Sequence, residues 1–247
     1  MKLLALDTAT ELCSAALWIG GSLSVREALA PRAHGELILP MIDELLAQAG
    51  LSLGALDVIA FGRGPGAFTG LRLAAAVAQG LGLAAQVPLI AISDLRAVAA
   101  QALARAAPQG PHAAPCRALI CQDARMDEVY WGCFERRAGV LGPVGQEAVG
   151  APAAVVLPEV WIAAAHAGAV RTEGIVAAGS GFAAYPVLRE RFGGVAAAVL
   201  EDLYPRAREI AELAAADGLA GAVAPEEALP VYLRDRVTAA VAPAGES

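Results

Sequence analysis

Apolar residues at the start of the chain fall into three short runs that predict a β-meander. The first run is Lys2–Asp7, the second covers residues 14–20 and the third covers residues 22–30. Gly20 and Gly21 separate the last two runs, and a glycine pair is typical of a tight hairpin turn. The pattern therefore predicts three consecutive strands at the beginning of the chain.

Segments with apolar residues at helical spacing follow the meander. The first ends at Gly50 and contains Pro40, so the helix either starts near the proline or bends there. After it, two more strands alternate with two more helices. These strands are predicted at residues 57–61 and Leu89–Ile92, and the helices at residues 69–85 and 94–106, with Ser93 as the N-terminal cap of the last one.

The second half of the chain repeats the first half in a weaker form. An apolar run at residues 118–124 contains Asp123 near its end, as the first run of the chain ends in Asp7, and a second run covers residues 128–134. The apolar residues 174–178 lead into a second glycine-rich turn. The pattern favours a degenerate duplication of one α/β unit, with a shorter second copy.

Prolines and glycines between residues 108 and 115 are typical of a linker, which sets the predicted domain boundaries. A helical pattern at residues 206–216 and a strand-like run at residues 229–233 are expected to pack across both units. The predicted parts are a first α/β unit at 1–106, a second, shorter unit at 107–205, a C-terminal helix and strand at 206–236, and a flexible tail at 237–247.

The charge of the chain limits the partners that it can bind alone. It has 247 residues, 18 of them basic and 25 acidic, for a net charge of −7, while 57% of the residues are hydrophobic. That content can bury a large core, but neutralising the phosphates of a nucleic acid needs clustered Lys and Arg. Any contact with RNA or DNA is therefore expected to be shared with a partner.

Cysteine spacing and hydropathy indicate a cytoplasmic protein. No C-x-x-C motif and no basic-then-apolar leader are present, so the cysteines are expected to be buried, reduced thiols. The longest apolar window, residues 73–92, is interrupted by Gln79, Gln86 and Pro88, and no membrane segment is expected. The cysteines are Cys13, Cys116, Cys121 and Cys133.

A glycine-rich segment at residues 62–72 joins a predicted strand to a predicted helix. No Lys follows its last glycine, so it is not a Walker loop, and it does not follow the first strand as a dinucleotide-binding loop would. Two interpretations remain open. The backbone N–H groups hold an anion, or the glycines allow the strand and the helix to approach each other closely. The segment reads Gly62-Arg63-Gly64-Pro65-Gly66-Ala67-Phe68-Thr69-Gly70-Leu71-Arg72.

Five segments, in this order along the chain, resemble the TsaB family of bacterial accessory proteins for making threonylcarbamoyladenosine in tRNA. The resemblance runs from Met1 to about Arg236. It implies an α/β, duplicated ribonuclease H-like fold in two subdomains, as in the actin, sugar-kinase and heat-shock ATPase superfamily. The segments are Leu6-Asp7-Thr8-Ala9-Thr10, Pro31-Arg32-Ala33-His34, the glycine-rich segment, Asp123-Ala124-Arg125-Met126-Asp127-Glu128-Val129-Tyr130-Trp131 and Pro230-Val231-Tyr232-Leu233-Arg234.

The resemblance implies a non-catalytic scaffold that supports threonylcarbamoyl transfer to adenosine, next to the anticodon of tRNAs reading codons that begin with A. The implied partners are the paralogous catalytic subunit TsaD and the ATPase TsaE, with a homodimer when TsaD is absent and tRNA bound only through the complex. No cofactor of its own is implied, and ATP or ADP with Mg²⁺ would act only in the complex with TsaD and TsaE.

This chain lacks the pair of metal ligands that the resemblance implies for the catalytic paralogue. That pair is two His four residues apart on the first helix. Here His34 is followed four residues later by Ile38, so that paired site cannot form. His112 and His166 have no ligand spacing. No metal site is therefore expected, and a metallopeptidase, the third function considered, lacks its ligands.

The helices before and after the glycine-rich segment are implied to form the surface that contacts TsaD or a second copy. An ordinary core is the alternative, because apolar residues at helical spacing are expected there too. The residues assigned to the interface are Leu37, Ile38, Met41, Ile42, Leu45, Leu71, Leu73 and Val77.

A second set of residues is assigned to possible nucleotide or tRNA contacts. Asp7 and Asp123 either orient Mg²⁺ and phosphate, as the superfamily implies, or cap a turn by accepting hydrogen bonds from nearby backbone N–H groups. The first option supports the alternative function, an independent Mg-dependent ATPase or small-molecule kinase. The assigned residues are Asp7, Thr8, Arg32, His34, Arg63, Gly64 and Gly66.

Overall fold

The computed structural model describes residues 1–107, 116–166 and 174–234, and for residues 163–166 it describes the backbone alone. Within these ranges the chain forms two six-stranded sheets. The first sheet contains β1 (Lys2–Asp7), β2 (Leu12–Ile19), β3 (Ser22–Leu29), β4 (Val58–Gly62), β5 (Leu89–Ile92) and β12 (Ala222–Val223), and the second contains β6 (Arg117–Asp123), β7 (Val129–Arg137), β8 (Val140–Pro143), β9 (Ala148–Gly150), β10 (Ile175–Ala178) and β11 (Ala198–Leu200).

The helices divide into an inner pair and two outer groups. Two long helices lie between the sheets: α3 (Asp94–Arg105) and α7 (Ala207–Asp217). The first sheet and its outer helices, α1 (His34–Ala49) and α2 (Phe68–Ala85), are called the first subdomain below. The second sheet and its outer helices are called the second subdomain. The outer helices of the second subdomain are α4 (Glu159–His166), α5 (Gly181–Ala184) and α6 (Pro186–Phe192).

The two sheets share one connection pattern around their first strands. In the first sheet, β1 pairs antiparallel with β2 and parallel with β4. In the second sheet, β6 pairs antiparallel with β7 and parallel with β10. This common pattern, in sheets of the orders β12-β5-β4-β1-β2-β3 and β11-β10-β6-β7-β8, confirms the duplicated α/β fold expected from the sequence.

Side chains alternate between two cores along the central strands, because successive residues of a strand point to opposite faces. In β1, Leu3 and Ala5 pack between the sheets with α3 and α7, while Leu4 and Leu6 pack under α1 and α2. In β6, Ile120 packs between the sheets in the same way. A continuous apolar run thus marks a strand that is covered on both faces.

Most elements match the sequence prediction, with small shifts at their ends. Gly20 and Gly21 adopt positive φ values of 55° and 100° in the predicted hairpin turn, and the Ser93 hydroxyl accepts a hydrogen bond from the backbone N–H of Arg96 at 3.1 Å as a cap. Pro40 lies inside α1, which begins six residues earlier at His34. As the seventh residue of α1 it removes the bond that its N–H would give to the Glu36 oxygen, and both residues are exposed to solvent.

Two expectations were wrong. Residues 229–233 do not form a strand, since they have no ladder partner and follow an irregular path, and the late strand of the first sheet is Ala222–Val223 instead. Cys116 is exposed, whereas the other three cysteines are buried as free thiols. The linker with His112, the tail and the side chain of His166 lie outside the described residues, and the predicted domain boundaries stay a prediction.

Helix α2 meets the length and composition of a membrane-crossing helix, with a mean hydropathy of 1.3. Buried helices of a protein core meet the same criterion. One face of α2 packs on the first sheet through Ala74, Ala75 and Ala78. The other face is exposed.

Candidate functional site

A cavity of about 780 Å³ opens between the two subdomains. Its walls come from both copies of the fold, because β1 and β6 each end at the edge that faces the other subdomain. A cavity of this size is large enough for a small molecule. Its lining includes Ala9, Thr10, Arg32, His34, Gly66 and Phe68 of the first subdomain, Gln122, Asp123, Arg125, Met126, Tyr130 and Ser180 of the second, and residues 231–234.

The glycine-rich segment brings the start of α2 against the loop after β1. A Cβ atom on Gly70 would lie 2.0 Å from the backbone oxygen of Thr8, and one on Gly66 would lie 2.7 Å from that of Ala9. The Thr8 hydroxyl donates to the Gly70 oxygen at 2.7 Å. These contacts support the close-packing interpretation of the glycines over the anion-binding one.

Asp7 and Asp94 form a buried pair of carboxyl groups beside this segment. Asp7 Oδ1 accepts a hydrogen bond from the Ala9 N–H at 2.9 Å, and Asp94 Oδ2 accepts one from the Gly64 N–H. The other carboxyl oxygen of each aspartate has no partner outside the pair among the described residues. Asp7 is fully buried and does not line the cavity, whereas Asp94 reaches its edge.

Burial controls the protonation of this pair. Loss of solvation raises the pKa of Asp7 to about 7, against the weaker effect of hydrogen bonds from Ala9 and Thr8. Burial, and then repulsion from Asp7, raise the pKa of Asp94 well above its ordinary range. Since two adjacent carboxyl groups do not both ionise readily, the pair holds a proton near neutral pH. Because Asp7 is fully buried and does not line the cavity, it is not presented to a ligand there.

Arg63 is also directed away from the cavity. Its Nη2 atom lies 3.1 Å from Oε2 of Glu147, a residue of the second subdomain between β8 and β9. The Ser93 hydroxyl donates to the other oxygen of the same carboxylate. Arg63 therefore joins the two subdomains.

Asp123 occupies in β6 the place that Asp7 occupies in β1, but it is less buried and lines the cavity. Its Oδ1 atom accepts hydrogen bonds from the Arg125 N–H at 2.8 Å and from the Tyr185 hydroxyl at 2.9 Å. Burial, followed by the bond to Asp123, raises the pKa of Tyr185 to about 12. These bonds support the turn-capping interpretation of Asp123.

Three of the seven residues assigned to possible ligand contacts come together in the cavity: Arg32, His34 and Gly66. Arg32 is exposed and has a positive φ of 72°. The Nε2 atom of His34 is buried and has no hydrogen-bond partner among the described residues. Asp7, Thr8, Arg63 and Gly64 are not part of the lining.

The donor set around His34 does not fit a metal site with two His on one helix. Ile38, four residues after His34, is fully buried in the core under α1. Within the described ranges, no three His, Cys, Asp or Glu side chains are grouped so as to hold a metal ion. Nothing in the chemistry of these side chains supports metal binding here.

The interface assignment needs a correction, because four of its eight residues are buried. Ile38, Ile42, Leu45 and Leu71 are at most 1% exposed. Ile38, Ile42 and Leu45 pack in the core under α1, and Leu71 lines the cavity beside Gly64, so none of the four lies on an outer face. Leu37, Met41, Leu73 and Val77 are half-buried.

The outer face of α2 carries a stripe of uncharged residues, with the exposed Arg72 beside it. Successive members are three or four residues apart, a spacing that places them on one side of the helix. Leu83 is 60% exposed, and the residues next to it on this face are small. We call this face the α2 stripe, consisting of Thr69, Leu73, Ala76, Gly80 and Leu83.

Sequence reasoning missed Asp94, Glu147 and the role of residues 228–234 in this region. Asp94 follows the predicted cap Ser93, where an acidic residue is explained by the helix N-terminus alone. Glu147 lies in an irregular stretch with no motif. Arg234 was part of a recognised segment, but its contact with residues 124–128 links positions that are far apart in the sequence.

Comparison with known proteins gives a consistent result. The family model of TsaD, tRNA N6-adenosine threonylcarbamoyltransferase, matches residues 25–240. The tRNA threonylcarbamoyladenosine biosynthesis protein TsaB of Escherichia coli is 38% identical over 242 residues, covering 96% of each chain. The TsaB protein of Haemophilus influenzae is 50% identical over 131 residues, covering 53% of this chain and 52% of that protein.

Solved structures from Pseudomonas aeruginosa have the same fold. One is described as an uncharacterized protein with similarity to peptidase YEAZ; it is 41% identical, covers 94% of this chain and 99% of its own, and has a TM-score of 0.78. A second, described as YeaZ, is 40% identical over the same shares, with a TM-score of 0.77.

Proposed function

We propose a function from one premise: the chain belongs to the TsaB family of tRNA threonylcarbamoyladenosine biosynthesis proteins. Its proposed role is in the synthesis of threonylcarbamoyladenosine, as a non-catalytic accessory subunit. It would bind and activate the transferase TsaD, together with TsaE, while tRNA binds only to the assembly. This role would place the protein in the cytoplasm.

The observation that carries the non-catalytic role is the sealed Asp7–Asp94 pair. A carboxylate that orients a metal ion or an attacking group must be ionised and reach the ligand. Asp7 is buried, shares a proton with Asp94 near neutral pH and does not line the cavity. Ile38 replaces the second helical His that the resemblance implies for the transferase. These positions favour a supporting role over chemistry.

The α2 stripe supports the docking part of the proposal. An exposed helix face of small, uncharged residues lets the backbone of a second helix approach closely, and the centres of protein interfaces are depleted in charge. The chain shares the transferase family's domain. A like face on the transferase would therefore pack against α2, and in its absence the same face would pair two copies of this chain.

Reconstitution tests this function. Purified chain, TsaD, TsaE, tRNA and ATP, with threonylcarbamoyl adenylate as the donor, should form threonylcarbamoyladenosine, and omitting this chain should remove most of the product. Product formed at an equal rate without it would refute the accessory role. Phosphate release from ATP by the isolated chain, abolished by Asp7→Ala, would favour the alternative ATPase or kinase.

A nucleotide in the interdomain cavity is a second candidate, favoured by the size of the cavity and by the exposed Arg32 at its rim. In this proposal ATP or ADP with Mg²⁺ binds only within the complex. Titration of labelled ADP into the chain alone and into the assembled complex separates the two cases. Equal affinity in both would place the site in this chain by itself.

A further inference from the structure

Residues 228–234, called the strap below, cross the mouth of the cavity without forming regular structure. The Gln79 side chain donates to the Ala228 oxygen at 3.1 Å, and the Val231 N–H donates to the Arg63 oxygen at 2.7 Å. A Cβ atom on Gly64 would lie 2.7 Å from the Val231 oxygen. The strap backbone is thus laid directly on the glycine-rich segment.

Tyr232 attaches the strap to the first turn of α2. Its ring centroid is 5.4 Å from that of Phe68, and its hydroxyl oxygen accepts a hydrogen bond from Arg72 Nε at 3.1 Å. The Arg72 guanidinium lies 3.7 Å from the centre of the Phe68 ring, which is a cation–π contact. These three side chains form one stack at the start of the helix.

Arg234 attaches the other end of the strap to the second subdomain, at a strained turn. Arg125, Met126 and Asp127 have φ values of 60°, 56° and 56°, three consecutive non-glycine residues in the left-handed region. Residues other than glycine are strained in this region, so the turn needs support from its surroundings.

Arg234 supplies part of that support. Its Nη2 atom donates to the Ala124 oxygen at 3.2 Å and to the carboxylate of Glu128, so one guanidinium group bridges the two ends of the turn. The side chain of Arg234 is 18% exposed and that of Glu128 is 36% exposed. The contact therefore lies at the edge of the protein, where water can reach the Glu128 carboxylate when Arg234 leaves.

We propose that the strap is a clasp that couples the left-handed turn of the second subdomain to the first turn of α2. With Arg234 seated, the strap covers one side of the cavity, supports the turn and holds the stack of Tyr232, Phe68 and Arg72. When Arg234 leaves, the turn and the start of α2 loosen together and the cavity opens. The coupling is a property of the isolated chain and does not depend on the proposed role in tRNA modification.

Hydrogen exchange of the full-length chain, followed by mass spectrometry, tests the clasp. Arg234→Ala should accelerate exchange several-fold in peptides covering residues 124–128 and also in peptides covering residues 63–72, while the strands β1 and β6 keep their rates. The matched control is Arg208→Ala, which removes an Arg from an exposed pair with Glu212 on α7 and should change neither region. Acceleration confined to residues 124–128 would overturn the coupling.

A second variant changes the contact between the strap and the start of α2. Tyr232→Phe removes only the hydroxyl that accepts the Arg72 bond and should accelerate exchange at residues 63–72, with a smaller effect at residues 124–128. Should Arg234→Ala fail to fold, Arg234→Lys, which keeps the charge but not the forked donor, should show the same two-region effect at smaller size. Unchanged exchange in Tyr232→Phe and in the folded Arg234 variant, or equal acceleration throughout the chain in either, would refute the proposal.

Discussion

Arg63 and Glu147 are joined by an ion pair that crosses from the first subdomain to the second, with Nη2 and Oε2 3.1 Å apart. The side chain of Glu147 is only 9% exposed and that of Arg63 is 26% exposed. Ser93 donates to the same carboxylate at the N-terminus of α3. The arginine that the sequence suggested for ligand contact thus serves as a connector between subdomains.

Removing the Arg63 side chain should destabilise the protein because, among the described residues, the buried Glu147 carboxylate would keep only its bond from Ser93. We expect Arg63→Ala to lower the free energy of unfolding by about 1–3 kcal/mol, measured by urea denaturation. Combining it with Glu147→Gln should cost less than the sum of the single changes. A variant with full stability but no activity in tRNA modification would return Arg63 to the ligand contacts.

The raised pKa values of Asp7 and Asp94 predict that the free energy of unfolding falls as pH rises. Both folded pKa values are raised above their ordinary value of 3.8, Asp7 to about 7. The folded state therefore binds more protons than the unfolded state above about pH 4. The stabilisation that the protonated pair gives to the folded state is complete below that pH and is lost as pH rises through 7 and beyond. The free energy of unfolding falls by up to about 1.4 kcal/mol per pH unit for each proton.

Asp94→Asn tests this dependence, because its amide keeps both bonds. The amide oxygen accepts from the Gly64 N–H and the NH₂ group donates to Asp7 without a charge. Relative to the wild type, the variant should gain stability between pH 5 and pH 8, as followed by thermal unfolding. Asp43→Asn, at an exposed position of α1, is the control. An unchanged slope with pH would show that the pair does not titrate in this range.

Two glycines of α2 should respond in opposite directions to the same change. Gly70→Ala should be destabilising, since the new methyl group would lie 2.0 Å from the Thr8 oxygen and the backbone would have to move. Gly80 has no atom within 4 Å of an added Cβ, so Gly80→Ala should raise the free energy of unfolding by about 0.5–1 kcal/mol through helix propensity. Effects of the same sign would contradict the close approach of α2 to the loop after β1.

Charge on the α2 stripe should weaken docking without affecting folding. Ala76 is exposed at the middle of the stripe, and Ala76→Glu should reduce the affinity for TsaD, measured by calorimetry, by at least tenfold while leaving the melting temperature within a few degrees. Ala104→Glu, at an exposed alanine of α3, is the matched control. An Ala76→Glu variant that binds TsaD as the wild type does would remove this face from the interface.

Ile38→Glu, at a buried position, is compared with Ala76→Glu and Ala104→Glu at exposed positions. Because Ile38 is fully buried in the first subdomain, a carboxylate there should cost several kcal/mol of stability. Loss of binding in this variant would then follow loss of fold. A soluble, folded Ile38→Glu protein with reduced affinity for TsaD would instead support the interface originally assigned to this residue.

The sequence by itself determined the repeat of the fold and most of its elements. Apolar runs that are covered on both faces, the glycine pair in the first hairpin and the cap at Ser93 are local signals, and each is explained by residues within a few positions. The match between the segments that end in Asp7 and Asp123 likewise followed from order along the chain. These features depend on backbone geometry, which neighbouring residues largely control.

Only the tertiary structure decided what the candidate functional residues do. Apolar residues at helical spacing look the same whether they pack on a sheet or on a partner, so the burial of Ile38 and the exposure of Ala76 could not be separated beforehand. Asp94 meets Asp7, Glu147 meets Arg63 and Arg234 meets the turn at 125–127 across long stretches of chain. The protonation of a carboxyl group and the pairing of an arginine depend on such distant neighbours, because burial and charge act through space and not along the sequence.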